Sequence, residues 1–182
     1  MLKRIKIATV FASVAAAALV AYASAGMSSP GAAAIATGAP APEFAGIERW
    51  LNGPPTSLRQ LRGKVVLVDF WTFDCINCVH TLPHVESLYE KYRDKGLVVI
   101  GVHTPEYAFE RDTKNLTDAI KRYGITYPVA QDNQYATWNA YGNQYWPAVY
   151  LLDKKGNLVY SHFGEGSYAE TEAQVRTLLG LS

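Results

Sequence analysis

The feature that most constrains the fold is an apolar run that leads straight into a helical pattern. The segment KVVLVDFW, residues 64–71, is almost continuously hydrophobic and rich in β-branched residues, which is typical of a strand buried on both faces. In residues 80–96, apolar side chains then recur at spacings of three and four from Leu82 to Tyr92, which predicts a helix that Gly96 ends. A strand that passes directly into a helix predicts a β-α unit.

A second unit of the same kind follows. Residues 97–103, LVVIGVH, predict another buried strand, and residues 115–124, NLTDAIKRYG, predict another helix. Because β-α-β-α alternation places parallel strands in one sheet with helices on its faces, the sequence predicts an α/β domain. The remaining predicted elements are a short helix in ATWNAYG, an antiparallel hairpin of PAVYLLD and LVYSHFG with its turn at Gly156-Asn157, and a last helix in YAETEAQVRTLLG.

The first 25 residues have the pattern of an export signal. Three basic residues lie within the first six, an apolar run continues to residue 23, and Ala23-Ser24-Ala25 is a small-residue cleavage site. We therefore predict a signal peptide over residues 1–25. The alternative is an uncleaved membrane anchor over residues 5–23, because the apolar run approaches the length that spans a bilayer. Both interpretations place the rest of the chain in the periplasm or another extracytoplasmic space, and both confine membrane contact to this segment.

Composition predicts one globular domain without a nucleic-acid partner. The chain has 182 residues, of which 49% are hydrophobic and 18% charged, so it can bury a core without stabilising disulfides. Removing residues 1–25 leaves 14 basic and 16 acidic residues, a formal charge of −2, which supplies no basic face for nucleic acid. Residues 26–42 are rich in Ala, Gly and Pro and predict a flexible linker, which leaves one domain over residues 43–182.

The two cysteines of the chain, Cys75 and Cys78, lie at the predicted start of the first helix. Free backbone N–H groups and the helix dipole stabilise a thiolate there, so we expect Cys75 to have a lowered pKa and to act as the nucleophile. Only Ile76 and Asn77 separate the pair, and one helical turn brings the sulfurs close enough to form a disulfide. The pattern predicts thiol–disulfide exchange, in which Cys78 resolves the mixed disulfide formed by Cys75. An inert structural disulfide is the alternative.

These residues resemble a known family. The segment VVLVDFWTFDCINC, the later Pro83, and the pair Trp146-Pro147 ahead of a strand are similar to exported thioredoxin-fold proteins, the TlpA-like and DipZ-type thiol–disulfide oxidoreductases. HTPEYAFE, residues 103–110, is especially similar to the DipZ-type domains, and the resemblance extends over residues 43–182. It implies a thioredoxin fold, with a central mixed β-sheet flanked by helices on both faces. We expect neither a cofactor nor a metal.

The resemblance also implies roles for residues around the cysteines. Asp69 matches the buried acid of thioredoxins, which exchanges a proton with the second cysteine, and its apolar neighbours in the strand predict a raised pKa. A solvent-facing acid is the alternative. Pro147 matches a proline that is cis, faces the disulfide and leaves neighbouring backbone free to pair with a client; an ordinary trans proline at the start of a strand is the alternative. Trp71 and Trp146 are expected to support the same site.

The residues beside the cysteines depart from the commonest pattern of the family. Asp74 places a negative charge directly before Cys75, where we expect it to raise the pKa of that thiol. Ile76 and Asn77 stand where Gly-Pro is commoner in the family. The histidines that could tune the site are His80, His84 and His103, for each of which an ordinary surface or core position is the alternative.

A metal site is one competing interpretation of the same segment. Cys75, Cys78, His80 and His84 are residue types that bind transition metals. Helical spacing argues against a shared ion, because His80 lies only two residues beyond Cys78 and projects from a different side of the helix.

A peroxidase and a non-enzymatic module are the other competing interpretations. Thr72 and Cys75 match the Thr-x-x-Cys part of a peroxidase signature, but Val68 occupies the place of its proline. A binding module would instead use the groove over Pro147 and leave the cysteines redox-inert.

Disulfide exchange with client proteins that carry disulfides or thiols is the function that the sequence favours, with the protein as reductant. A reductant in an oxidising compartment must be re-reduced, and the DipZ-type resemblance implies a CcdA-like membrane electron donor.

Overall fold

The computed structural model describes residues 35–181, so the predicted signal peptide over residues 1–25 lies outside the described residues. Within this range no helix is both long enough and apolar enough to cross a membrane. The strands are β1 (Arg49–Leu51), β2 (Val65–Trp71), β3 (Leu97–His103), β4 (Val129–Gln131), β5 (Ala148–Leu152) and β6 (Leu158–Phe163). The α-helices are α1 (Ile76–Tyr92), α2 (Thr113–Arg122), α3 (Ala136–Ala140) and α4 (Tyr168–Leu179), with short 3₁₀ turns at Arg93–Lys95 and Ala108–Arg111.

The strands form one mixed sheet with the order β1-β4-β3-β2-β5-β6. The neighbours β2, β3 and β4 are parallel, whereas β1, β5 and β6 pair antiparallel to their neighbours. All seven residues of β2 are buried, because β2 lies between β3 and β5 and is covered on both faces. The predicted mixed α/β sheet is therefore confirmed, and its central strand is the one that leads to the cysteines.

Alternate side chains of β2 point into two separate cores. One face of the sheet packs against α1, α2 and α4, and the opposite face packs against α3 and the segment before β2. The helices thus flank both faces, as the resemblance implied. The first face contains Leu67, Trp71, Cys78, Leu82, Leu116, Ile120 and Val175, and the second contains Val66, Val68, Phe70, Leu58 and Trp138.

Two short strands were missing from the sequence-based prediction. Strands β1 and β4 have three residues each and pair antiparallel with each other. Three residues are too few to show an alternating or continuous apolar pattern, so only their pairing identifies them as strands. The long predicted elements agree better: α1 begins within the cysteine segment, and β3 has the predicted bounds 97–103.

The last part of the predicted linker over residues 26–42 belongs to the folded domain. Gly38 N donates to Leu158 O at 2.7 Å, and Leu158 N donates to Ala39 O at 2.9 Å. Pro40 also forms an isolated antiparallel bridge with Asn157. The linker prediction is therefore wrong for these residues, because their backbone groups bind the start of β6 although their side chains offer little to bury. Ordered structure begins before the predicted boundary at Glu43.

Candidate active site

The two cysteines occupy the first turn of α1, directly beyond the carboxyl end of β2. Cys75 is the residue that caps the helix, and its Sγ accepts a hydrogen bond from Cys78 N at 3.3 Å. The Cys78 thiol donates to Cys75 Sγ at a sulfur–sulfur distance of 2.7 Å. Cys78 is buried, whereas Cys75 is half-buried and reaches the surface. The pair therefore has one accessible and one protected sulfur.

The surroundings separate the pKa values of the two thiols. The pKa of Cys75 is lowered to about 7, and the largest cause is the hydrogen bond that the Cys78 thiol donates to it. The backbone N–H groups of Cys78 and Asn77 lower this pKa further, whereas burial raises it. Burial is the main reason that the pKa of Cys78 is raised well above its ordinary value. The direction predicted for Cys75 agrees with the structure, and Cys75 is the thiol that ionises first.

Asp69 is a buried acid on the same face of the sheet as the buried cysteine. Its side chain is 1% exposed and shares the first face with Trp71 and Cys78. Its pKa is raised to about 7, chiefly by burial and secondly by the charge of Cys75. Neither carboxyl oxygen accepts a hydrogen bond from another described residue. The alternative of a solvent-facing acid is wrong.

Pro147 lies at the same end of the sheet as the cysteines, and its peptide bond with Trp146 is cis. It immediately precedes β5, whose first residue, Ala148, pairs with Phe70 near the end of β2. The alternative of an ordinary trans proline is therefore wrong. The Trp146 indole Nε1 donates to Thr104 O at 3.0 Å, which ties the segment before Pro147 to the end of β3.

Trp71, the last residue of β2, is fully buried between neighbouring strands. Its indole ring meets His103 edge-on at 5.2 Å between centroids. A β-carbon placed on Gly101 would lie 3.0 Å from Trp71 Nε1 and from Tyr127 Cε2, so the close packing of these rings favours a glycine there. Trp71 thus belongs to the same core cluster as Cys78.

A fully buried glutamate, Glu110, was given no role in the sequence analysis. Its Oε1 accepts hydrogen bonds from the Thr72 hydroxyl and from Asp74 N, the latter at 3.1 Å. Its Oε2 accepts from Glu106 N at 2.6 Å and from Tyr107 N at 2.7 Å. The Glu110 side chain accepts from the N–H of Tyr107 at the start of the 3₁₀ turn, as in a capping box, but Tyr107 is not a Ser or Thr, so the sequence carries no capping-box signal that could have identified the glutamate.

Thr72 and His103 extend the hydrogen-bonded network of Glu110. Thr72 Oγ1 lies 3.2 Å from His103 Nε2, and both residues are fully buried. Burial lowers the pKa of His103 to about 3, so the ring is neutral at physiological pH, and it stacks on Phe73 at 5.4 Å. His103 is therefore a core residue beside the site. Because the Thr72 hydroxyl donates to Glu110 and has no exposed surface, it is not placed to orient a peroxide.

The structure corrects the expectation for Asp74. Asp74 is exposed, and the carboxylate that raises the pKa of Cys75 is Glu106, in the loop after β3. Glu106 is distant in sequence from the cysteines, so its effect required the tertiary structure. Ile76 and Asn77 are exposed beside Cys75, with Ile76 64% accessible.

The other two candidate histidines contact residues outside the cysteine pair. His80 is exposed and lies 3.1 Å from Glu165 Oε2, and the His84 ring stacks on Tyr168 at 4.6 Å. Burial is the main reason that the pKa of His84 is lowered. Among residues 35–181 no three potential metal ligands come together, so the proposed cluster of these histidines with the cysteines is not assembled.

Large exposed hydrophobic side chains surround this end of the sheet. Ile76 follows β2, Tyr107 and Phe109 follow β3, and the antiparallel strands β5 and β6 bring Tyr145 and Phe163 to the same edge. Tyr107 stacks on Phe109, and Tyr145 contacts Phe163 at 5.8 Å. We call these five side chains the apolar rim. Exposed apolar side chains thus lie at the same end of the sheet as the cysteine pair.

Comparisons with known proteins agree with this geometry. The Redoxin family model matches residues 36–179. Protein DipZ of Mycobacterium tuberculosis is 53% identical over 154 residues, which are 83% of this chain but 22% of DipZ. The thiol-disulfide oxidoreductase YkuV of Bacillus subtilis is 32% identical over 140 residues, which are 77% of this chain and 94% of YkuV. The solution structure of a thioredoxin-like protein in the oxidised form is 34% identical with a TM-score of 0.71, covering 78% of this chain and 95% of that one.

The fold and the cysteine pair define a thioredoxin-like protein of the thiol–disulfide oxidoreductase class. The chain belongs to the Redoxin family, whose model covers nearly the whole described domain. It spans about a fifth of the length of the DipZ relatives, as the 22% coverage shows.

Proposed function

We propose that this protein is an extracytoplasmic thiol–disulfide oxidoreductase that reduces disulfides of client proteins through Cys75 and Cys78. The observation that carries the proposal is the pair of sulfurs 2.7 Å apart, one accessible and one buried, at the start of α1. The lowered pKa of Cys75, about 7, supports its role as the attacking thiolate.

The reaction transfers two electrons from the pair to the client. The Cys75 thiolate attacks one sulfur of the client disulfide, the client S–S bond breaks, and the departing client thiolate takes a proton. Cys78 then loses its proton to Asp69 and attacks Cys75 Sγ, which releases the second client thiol and leaves a Cys75–Cys78 disulfide. A dithiol donor must then reduce that disulfide, and we assign this step to a CcdA-like membrane protein.

The surface around Cys75 supports protein clients. The apolar rim lies at the end of the sheet that carries the cysteines, where a client segment would cover its side chains and backbone beside Pro147 would pair with that segment. Residues 1–25 carry the export signal on which the extracytoplasmic location rests, with residues 5–23 as an anchor if they are not cleaved.

The reaction is tested by insulin reduction with dithiothreitol as the electron source. We expect wild-type protein to accelerate it, Cys75→Ser to abolish it, and Cys78→Ser to accumulate mixed disulfides. Full activity of Cys75→Ser would contradict the assigned roles. Rapid peroxide consumption that survives Cys78→Ser would support the peroxidase interpretation instead.

The direction of electron transfer is tested by equilibrating the pair with glutathione buffers. A reductant requires a reduction potential of about −200 mV or lower, whereas a value near about −120 mV would identify an oxidant. Fractionation of cells that express the full chain tests the location, since recovery of the protein in the cytoplasm would contradict export.

A further inference from the structure

We propose that Glu110 is a positioning residue for disulfide exchange. Its carboxylate binds both the turn that carries Cys75 and the loop after β3, and these bonds hold the Cys75 sulfur close to the first turn of α1. This inference rests on the proposed function, in which Cys75 is the reacting thiol. We call the group of Glu110, Thr72 and His103 the carboxylate latch.

The bonds of Glu110 join two segments that are far apart in sequence. Asp74, whose N–H donates to Glu110 at 3.1 Å, is 36 residues away and immediately precedes Cys75. Glu106 and Tyr107 donate to the other oxygen from the loop after β3. Charge-assisted bonds of this kind are the strong ones, and removing the acceptor would leave several partly buried donors without a partner.

The latch also determines the direction of each hydrogen bond. A carboxylate only accepts, so the single hydroxyl proton of Thr72 goes to Glu110. The Thr72 oxygen can then only accept from His103, whose Nε2 lies 3.2 Å away, so the neutral ring carries its proton on Nε2. The chain of bonds runs from the end of β3 through the end of β2 to the loop, and it holds the residues that directly precede Cys75.

The position of Cys75 depends on that turn. Cys75 has an extended backbone, with φ −91° and ψ 111°, which brings its sulfur to the N–H of Cys78 at 3.3 Å. The ionisable groups that act on Cys75 are Cys78 on α1, Glu106 in the loop and Asp69 on β2.

Releasing the latch would have two opposing effects on Cys75. If the Cys75 sulfur no longer accepts hydrogen bonds from the Cys78 thiol and N–H, the pKa of Cys75 rises. If the loop carries the Glu106 carboxylate away from the sulfur, the pKa of Cys75 falls. Both contacts with Cys78 affect this pKa more than Glu106 does. We therefore expect a higher pKa for Cys75 when the latch is broken.

The experiment is the pH profile of Cys75 alkylation by iodoacetamide in the reduced protein, read by mass spectrometry. Glu110→Gln and Thr72→Val should each shift the midpoint upward by about half a unit or more, and at pH 6 the rate should fall at least about threefold. Thr72→Ser keeps the hydroxyl and should restore the wild-type profile.

Glu86→Gln is the matched control. Glu86 also accepts a backbone N–H, from Thr126 at 3.0 Å, together with the Thr126 hydroxyl, but it lies along α1 away from the cysteine turn. A purely structural role for Glu110 predicts lower stability with an unchanged midpoint. The proposal is overturned if folded Glu110→Gln and Thr72→Val keep the wild-type midpoint, or if Glu86→Gln shifts it equally.

The proposal can still be tested if Glu110→Gln does not fold, and the proposed function has a test of its own. If Glu110→Gln does not fold, the comparison of Thr72→Val with Thr72→Ser decides, and equal profiles for these two contradict the latch. Insulin reduction by the wild-type protein tests the proposed function separately, because the alkylation midpoint of Cys75 does not depend on any client.

Discussion

At the scale of single residues, the two thiols should differ sharply in reactivity. Cys75 is accessible with a pKa lowered to about 7, whereas Cys78 is buried with a raised pKa. We expect iodoacetamide at pH 7 to modify Cys75 at least about a hundredfold faster than Cys78, because only the thiolate reacts. Peptide mass spectrometry of the reduced protein measures both rates, and equal rates would contradict the assignment of the nucleophile.

Asp69 should make stability depend on pH. Its pKa rises to about 7 on folding, so the acid is neutral in both states below about pH 4 and has no effect there. As the pH rises towards 7 the unfolded acid ionises while the folded acid stays protonated, so stability is lost. Above pH 7 the loss reaches about 4 kcal/mol.

The variant Asp69→Asn removes that ionisation. We expect it to be more stable than wild-type by about 2 to 4 kcal/mol at pH 8, with little difference at pH 4. It should also slow the release of client from mixed disulfides, because Cys78 loses its proton acceptor. Chemical denaturation at pH 4, 6 and 8 measures the first effect. A stability difference that is the same at every pH would argue against a buried ionising acid.

At the scale of elements, the segment before residue 43 should stabilise the β5–β6 hairpin. It forms three backbone hydrogen bonds there, from Gly38 N to Leu158 O, from Leu158 N to Ala39 O and from Ala41 N to Gly156 O. A chain that begins at Glu43 should lose about 1 to 3 kcal/mol of stability relative to one that begins at Ile35.

Amide hydrogen exchange locates this effect. The Leu158 amide should exchange faster in the shorter chain, whereas the amides of β2 should change only with global stability. Equal stability and equal exchange of Leu158 in the two chains would show that the segment contributes nothing to the fold.

At the scale of the whole molecule, the sheet brings the apolar rim to the end that carries the cysteines. Substitution of Tyr145→Ser or Phe109→Ser should raise the KM for insulin several-fold, because each side chain is about half exposed and available to a protein client. The rate with a small aromatic disulfide reagent should stay close to wild-type and serves as the internal control. An equal loss with both substrates would point to damage at the cysteines instead.

The parts of the structure that could be predicted are those with local patterns. The apolar run of β2, the helical spacing of α1 and the cysteines between them define a β-α unit from sequence alone. The burial of Asp69 follows from the same run, because every residue of a central parallel strand is covered. The cis form of Pro147 was implied only by resemblance and is present in the structure.

The sequence by itself determined the central strand, the cysteine helix and the chemistry of their junction, because periodicity and side-chain type act over a few neighbouring residues. Only the tertiary structure decided the pairing of β1 with β4, the attachment of residues 38–41 to β6, and the latch around Glu110. Each of these contacts uses backbone N–H or C=O groups on at least one side, and every residue carries the same groups. No sequence pattern marks which distant segment will supply the partner, so the choice is made when the packed sheet brings the segments together.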